Sequence, residues 1–162
     1  MRSGGRIEVQ LFPAGRFFGF AVNVNAEHEE SYDAAPFGAA WHAFWTIAKD
    51  LELSYTSVPM ALLFRDEGSR SLRYIAGGCI QGEVPELPEG FETVDFEGGA
   101  YVVHVHEGSM ERIGESVQAF YSELLPASDH ALREGPHMEL YHHNGDPMSD
   151  DYKMGLAAPV VW

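Results

Sequence analysis

The sequence predicts an α+β fold of two tandem duplicated strand–helix–strand–strand units, related by pseudo-twofold symmetry around a central ligand cleft. Three observations support this. Segments of the first half recur in order in the second half, each copy changes from strand to helix periodicity, and a proline-containing acidic stretch separates the copies. The predicted single domain covers residues 1–162, with a first unit at 6–80, an acidic linker at 81–98 and a second unit at 99–162.

Each copy begins with a strand pattern. Residues 16–25 end in Val-Asn-Val-Asn and residues 99–106 end in Val-His-Val-His, which is the alternation of a half-buried strand. A helical pattern follows, because apolar residues recur at spacings of three and four from Phe37 to Leu51 and from Ile113 to Leu125.

Two further strands complete each copy. Residues 59–68 match 136–145 in the order of Pro, Leu, aromatic and Gly, and residues 73–80 correspond to 153–160. The pair Gly77-Gly78 predicts a close approach of strands or a bulge. Residues 81–98 carry six acidic residues and no basic one, which favours a solvated connector.

The net charge is −15 and is unevenly distributed. Residues 1–80 hold 7 basic and 9 acidic residues, whereas residues 81–162 hold 3 and 16. So few Lys and Arg side chains argue against direct binding to nucleic acid or to an anionic membrane. A single cysteine, Cys79, and the lack of a long apolar segment predict a cytoplasmic protein without disulfides.

Several segments of the second copy resemble one known family, the GyrI-like small-molecule-binding domain, which is also the effector-binding domain of MerR-type and AraC-type transcription regulators. The resemblance covers nearly all of residues 6–162. The segments that carry it are Gly99–Val103, His106–Met110, Phe120-Tyr121, Pro136–Tyr141 and Met154–Val160.

The resemblance implies a central cleft in which the glutamate of a Glu-x-Tyr strand motif faces aromatic walls. It implies lipophilic, often aromatic or cationic ligands. Some relatives are linked to gyrase inhibition, and some stand-alone members hydrolyse cyclopropane-containing toxins. Because no helix-turn-helix precedes the domain in this sequence, we expect a stand-alone binding protein rather than a one-chain transcription factor.

Glu139 is the principal candidate for the ligand site. On a strand, His137, Glu139 and Tyr141 share one face, and Met138 and Leu140 share the other. The apolar pair is expected under the helix, which leaves Glu139 and Tyr141 facing the groove. The further candidate ligand-binding residues are His137 on the same strand face, Leu62 and Phe64, which match Glu139 and Tyr141 in the first copy, and the aromatic residues Tyr101, Phe20, Trp41, Trp45 and Tyr74.

Three functions stay open on the sequence alone: capture of a lipophilic, cationic aromatic compound, hydrolysis of an electrophilic cyclopropane with Glu139 as acid or base, and modulation of DNA gyrase through protein contacts. For the aromatic candidates, core packing is the alternative interpretation. The histidines, including His104, His106 and the pair at 142–143, are interpreted as surface residues, and neither a metal nor another cofactor is expected.

Overall fold

The computed structural model describes residues 6–25, 35–65, 71–84, 86–141 and 145–161. The chain forms two units. Residues 13–98 make one, called here the central unit, and residues 1–12 together with 99–162 make the other, called here the terminal unit. Within the described ranges, no helix has the length and apolar character needed to cross a membrane.

Eight strands and two main helices appear in the described residues. In chain order the elements are β1 (Glu8–Phe12), β2 (Gly15–Asn25), α1 (Ala35–Ala48), β3 (Met60–Arg65), β4 (Ser71–Ile80), β5 (Phe91–Phe96), β6 (Gly99–Glu107), a 3-10 turn (Met110–Arg112), α2 (Ile113–Ala119), a π-helical turn (Phe120–Leu124), α3 (Leu125–Ala127), β7 (His137–Leu140) and β8 (Lys153–Pro159).

The central unit pairs its strands antiparallel in the order β3-β4-β2-β5, with α1 packed on β2 and β4. Its core is aromatic, because Phe18, Phe44 and Tyr74 are fully buried. Gly19 and Gly77 lie opposite each other on β2 and β4. A Cβ at Gly77 would collide with the carbonyl oxygen of Phe18, so the predicted close approach of strands at this glycine is confirmed.

The terminal unit pairs its strands antiparallel in the order β1-β6-β8-β7. Its helical segment, residues 110–127, is capped by Ser109, whose hydroxyl accepts a hydrogen bond from the backbone N–H of Glu111. Ile113 and Phe120 pack from this segment onto Val102, Leu156 and the other apolar residues of one sheet face. The face that the helix covers is called here the helix side of each unit.

The predicted helix and the three predicted strands appear in each half, and the fold is α+β with antiparallel strands. The prediction of a linker at 81–98 is wrong in one respect, because the segment contains β5. Phe91 and Phe96 bury their rings, and β5 pairs with β2 over six residues, while the acidic side chains between them stay accessible. The high acid content concealed this strand.

The division at residue 80 also differs from the structure. β1 precedes β2 in the chain, but it pairs with β6, so residues 6–12 belong to the terminal unit rather than to the first predicted copy. Ile7 and Val9 pack against the core of the terminal unit, which explains the placement.

Candidate functional site

Strand β7 places Glu139 on the helix side of the terminal unit. Glu139 lies opposite Leu156 of β8, and directly opposed residues of antiparallel strands project from the same face. Leu156 packs beneath the helical segment with Phe120. The expectation that Met138 and Leu140 lie under the helix is therefore wrong. Both of them are fully buried on the other face, so alternation alone could not identify the helix side.

The carboxylate of Glu139 is buried, with 6% of the residue exposed. Tyr141 lies two residues further along the chain, and its hydroxyl donates a 2.6 Å hydrogen bond to Oε1 of Glu139. Tyr152 is a third member of the group. Burial is the main cause that raises the pKa of its phenol, and the negative charge of Glu139 raises it further. We call Glu139, Tyr141 and Tyr152 the carboxylate cluster.

A second polar pair borders the cluster on the same strand face. The Tyr121 hydroxyl and Nδ1 of His137 are hydrogen-bonded at 2.7 Å, and their rings lie 5.5 Å apart. Tyr121 belongs to the π-helical turn, a rare geometry that is frequent at functional sites. Phe120 and Tyr121 are consecutive residues that both pack against the apolar core of the terminal unit, and the Phe120 ring is stacked on His104.

The arrangement places a carboxylate beside aromatic rings, and both kinds of group attract positive charge. A buried carboxylate loses its hydration and must be compensated by hydrogen bonds or by an opposite charge. Tyr141 supplies one hydrogen bond, and the tyrosine rings offer faces that attract cations. Tyr141, Tyr121 and His137 are only partly buried, so a ligand has polar and aromatic surface to reach.

The candidate residues Phe20, Trp41 and Tyr74 come together on the helix side of the central unit. The indole N–H of Trp41 donates a 2.9 Å hydrogen bond to the Tyr74 hydroxyl, and Phe37 packs on the Tyr74 ring. Trp45 stacks on Trp41 at 6.1 Å but is 50% exposed. These contacts combine core packing with a partly accessible aromatic surface.

Leu62, Phe64 and Tyr101 lie on the faces opposite the helices of their units. Leu62 pairs with Ile75, and Phe64 pairs with Arg73, whose guanidinium stands over its ring. The match of Glu139 with Leu62 by sequence is therefore displaced by one residue, because the helix side of β3 carries Ala61 and Leu63 instead.

Tyr101 takes part in a structural contact rather than facing the carboxylate cluster. Its hydroxyl donates to the carbonyl oxygen of Pro136 at 3.0 Å, and the Arg133 guanidinium lies 5.0 Å from its ring centre. Arg133 also donates to the carbonyl oxygens of Val160 and Ala100. These bonds hold the segment that leads into β7.

The interpretation of His104 and His106 as surface residues is wrong, since both are buried. His106 is bonded through Nδ1 to the Ser116 hydroxyl and through Nε2 to the carbonyl of Ser109, and His104 is bonded through Nδ1 to the carbonyl of Arg6. The pair at 142–143 lies outside the described residues. In the described part of the chain, no group of three His, Cys, Asp or Glu side chains has a metal-binding arrangement.

One member of the site, Tyr152, was not predicted from the sequence, and a second, Tyr121, was left open between core packing and a pocket wall. Tyr152 follows three acidic or polar residues and has no apolar pattern around it, although a lone aromatic residue at the start of a strand is a weak signal of burial. For Tyr121, a regular helical pattern gives no reason to expect the π-helical turn that places it beside His137.

Known proteins share both the sequence pattern and the fold. Residues 6–161 match the family described as the GyrI-like small molecule binding domain. The transcriptional regulator BrlR of Pseudomonas aeruginosa is 26% identical over 137 residues, which are 81% of this chain and 50% of BrlR. This chain thus spans about half the length of that relative.

Two solved structures share the fold at low identity. SAV2435, whose structure contains bound tetraphenylphosphonium, superposes with a TM-score of 0.75 at 14% identity, covering 96% of this chain and 94% of SAV2435. The C-terminal domain of EcmrR gives a TM-score of 0.73 at 10% identity, covering 96% and 97%. With the family match over nearly the whole sequence, the chain belongs to the GyrI-like small-molecule-binding domain family.

Proposed function

We propose that this chain binds lipophilic cations with aromatic substituents, and that the carboxylate cluster supplies their charge recognition. The single observation behind the proposal is the buried carboxylate of Glu139 beside Tyr141 and Tyr152. A cation at this position would regain for Glu139 the electrostatic stabilisation that burial removes. The tetraphenylphosphonium bound to SAV2435 supports this choice of ligand class.

The aromatic residues of the site give the ligand its apolar contacts. Tyr121 and Tyr141 are half-buried on the helix side of the terminal unit. On the central unit, we propose Phe20 and Trp41 as a second partly accessible aromatic surface, which the fully buried Tyr74 supports through its hydrogen bond with Trp41. The repeated order of elements supports a duplicated origin for the two units, which would explain why both present aromatic residues on their helix sides.

Calorimetric titration with three ligands of similar shape tests the charge role. Tetraphenylphosphonium is the cation, tetraphenylborate is its anionic counterpart, and triphenylphosphine oxide is neutral. We expect the wild type to prefer the cation. Glu139→Gln should weaken cation binding about tenfold or more, because a charged hydrogen-bonded contact contributes about 1.5–3 kcal/mol.

Glu134→Gln is the matched control, since Glu134 is an exposed acid five residues earlier in the same segment. It makes the same change of net charge and should leave the cation affinity nearly unchanged. Equal binding of tetraphenylphosphonium by wild type and Glu139→Gln would refute the charge role of Glu139.

Hydrolysis of an electrophilic cyclopropane compound is the second candidate. The observation in its favour is the short hydrogen bond between the Tyr141 hydroxyl and Glu139, which places a proton donor and a carboxylate side by side. Turnover of such a compound by wild type, and its loss in Glu139→Gln with the compound still bound, would establish the reaction. Modulation of DNA gyrase stays a prediction.

A further inference from the structure

Ser116 and His106 form a hydrogen-bonded pair on the helix side of the terminal unit. Ser116 belongs to α2 and His106 to β6, and the Ser116 hydroxyl oxygen lies 2.6 Å from Nδ1 of the imidazole. A serine inside a helix usually bonds its hydroxyl to a backbone carbonyl one turn earlier or turns it to solvent. Here the hydroxyl is bonded instead to a histidine of the sheet that the helix covers.

The other ring nitrogen fixes the direction of this hydrogen bond. Nε2 of His106 lies 3.1 Å from the carbonyl oxygen of Ser109, and a carbonyl oxygen only accepts, so Nε2 carries the proton. In the neutral imidazole Nδ1 is then an acceptor, and the Ser116 hydroxyl donates to it. Ser116 is therefore bonded to a group that is able to take up its proton.

Ser109 holds the imidazole in this orientation. Its carbonyl oxygen also accepts from the backbone N–H of Arg112 at 3.0 Å, and its hydroxyl accepts from Glu111 and donates to the sulfur of Met148. A hydroxyl, an imidazole and a fixed acceptor thus follow one another, as they do in serine acyl-transfer sites. A backbone carbonyl stands here where those sites commonly have a carboxylate.

Burial increases from the serine inward. Ser116 is partly exposed on α2, whereas only 2% of His106 and 6% of Ser109 are exposed. A reagent from solution therefore meets the serine hydroxyl first, and bulk water has little access to the imidazole beneath it. This is the order of exposure that a nucleophile and its base require.

We propose that Ser116 is a nucleophilic serine activated by His106, and that activated esters acylate it. Oγ of Ser116 attacks the ester carbonyl carbon while its proton passes to Nδ1 of His106. The bond from that carbon to the leaving oxygen then breaks, and the proton moves from Nδ1 to this oxygen. The products are an O-acyl serine and an alcohol or phenol. Water that repeats the two steps releases the carboxylic acid and restores the hydroxyl.

The surroundings of Ser116 favour neutral or positively charged esters with small acyl groups. Glu111 and Glu115 are exposed on the same helical segment, and the net charge of −15 repels anions. Because Ser116 is only partly exposed, a bulky acyl group would meet the neighbouring helix side chains first. This reactivity is separate from the ligand site proposed above, since β8 lies between the strands that carry His106 and Glu139.

A fluorophosphonate probe and p-nitrophenyl acetate test the proposal on the full chain. Fragmentation mass spectrometry should place the phosphonyl and acetyl groups of the wild type on Ser116, and Ser116→Ala should lose both. His106→Asn keeps a polar group near the position of Nδ1 but supplies no base. It should slow both reactions about 100-fold or more, whereas a merely structural hydrogen bond would leave the rates unchanged.

Ser122→Ala is the matched control. Ser122 is exposed on the same helical segment and is bonded to no histidine in the part of the chain that the structure describes, so it should stay unlabelled in the wild type. Ser122→Ala should accordingly react like the wild type, and urea unfolding checks that each variant folds. The comparison of Ser116 with Ser122 needs no buried substitution, so it decides the matter even where His106→Asn does not fold. A wild type without adduct on Ser116, equal labelling of Ser116 and Ser122, or a folded His106→Asn that reacts as fast as the wild type would overturn the proposal.

Discussion

At the residue scale, Tyr152 reports the charge of Glu139. Burial, and then the Glu139 carboxylate, raise the pKa of the Tyr152 phenol above its usual value of 10.0. Glu139→Gln removes only the second cause, so we expect the pKa of Tyr152 to fall while remaining above 10. Ultraviolet titration of the phenol, with Tyr152→Phe to identify the signal, measures the change. An unchanged Tyr152 pKa would mean that the two groups do not interact in solution.

The same shift determines how stability responds to alkaline pH. Folded Tyr152 holds its proton more tightly than the unfolded chain, so above pH about 10 the unfolded state carries fewer protons. The free energy of unfolding should then decrease as pH rises through the folded pKa. Urea unfolding at pH about 8 and about 10.5 should show a smaller decrease for Tyr152→Phe than for wild type. A larger decrease in the variant would contradict the assignment.

Arg133 is expected to stabilise the terminal unit strongly. Its guanidinium donates to the carbonyl oxygens of Ala100 and Val160 and covers the ring of Tyr101. Arg133→Ala leaves those acceptors without their charged donor, and we expect a loss of about 2–3 kcal/mol in urea unfolding.

Arg112→Ala is the comparison for Arg133→Ala. Arg112 makes an exposed ion pair with Asp150, and exposed pairs contribute under about 1 kcal/mol. Equal losses for the two variants would mean that the Arg133 contacts add nothing beyond a surface charge.

At the element scale, the antiparallel pairing of β2 with β4 depends on two opposed glycines. A Cβ on Gly77 would collide with the Phe18 carbonyl, and a Cβ on Gly19 would collide with the Ala76 carbonyl. Both collisions are with backbone atoms of the paired strand, so a side-chain rotation cannot relieve them. We expect Gly77→Ala to cost about 3 kcal/mol or more of unfolding free energy. Gly114→Ala, with open space around it on α2, should instead be neutral or stabilising by up to about 1 kcal/mol.

Elements with a clear period were predictable from the sequence, and the faces of buried strands were not. Both α1 and the helical segment at 110–127 follow apolar spacings that a helix must bury. In β7, however, Met138 and Leu140 are as buried as the residues facing the helix, so only the pairing of Glu139 with Leu156 reveals which face Glu139 occupies. Strand β5 was not predicted from the sequence because it has too few apolar residues. Acidic residues lie between its two buried phenylalanine rings.

The candidate site shows the same limit. Glu139 and Tyr141 were predictable as neighbours, since positions two apart on a strand share a face. Tyr152, just before β8, interacts with Glu139, and Tyr121 lies in the π-helical turn. Neither placement leaves a periodic signal in the sequence. Leu62 was placed with them by a sequence match that is one residue out of register.

At the scale of the whole molecule, acidic side chains outnumber basic ones by 25 to 10. The ion pairs of Arg16 with Glu83 and Asp95 join largely exposed side chains, which contribute little to stability. Repulsion among the remaining carboxylates therefore outweighs attraction, and the folded state, which holds these charges closer together than the unfolded chain does, bears most of the cost.

Sodium chloride should consequently stabilise the protein. Raising its concentration from about 10 mM to about 500 mM shortens the screening length to a few ångströms. This weakens the repulsion among carboxylates more than it weakens the attraction within the exposed ion pairs. We expect the free energy of unfolding to rise by about 1 kcal/mol, which raises the melting temperature by about 3 °C for a chain of this size.

The double variant Glu89→Gln and Glu97→Gln, which neutralises two exposed acids of the central unit, should melt higher at low salt and respond less to salt. Near the isoelectric point the salt effect should vanish, because little repulsion is left to screen. A melting temperature that falls with salt at neutral pH would instead mean that ion pairs dominate the electrostatic free energy of the fold.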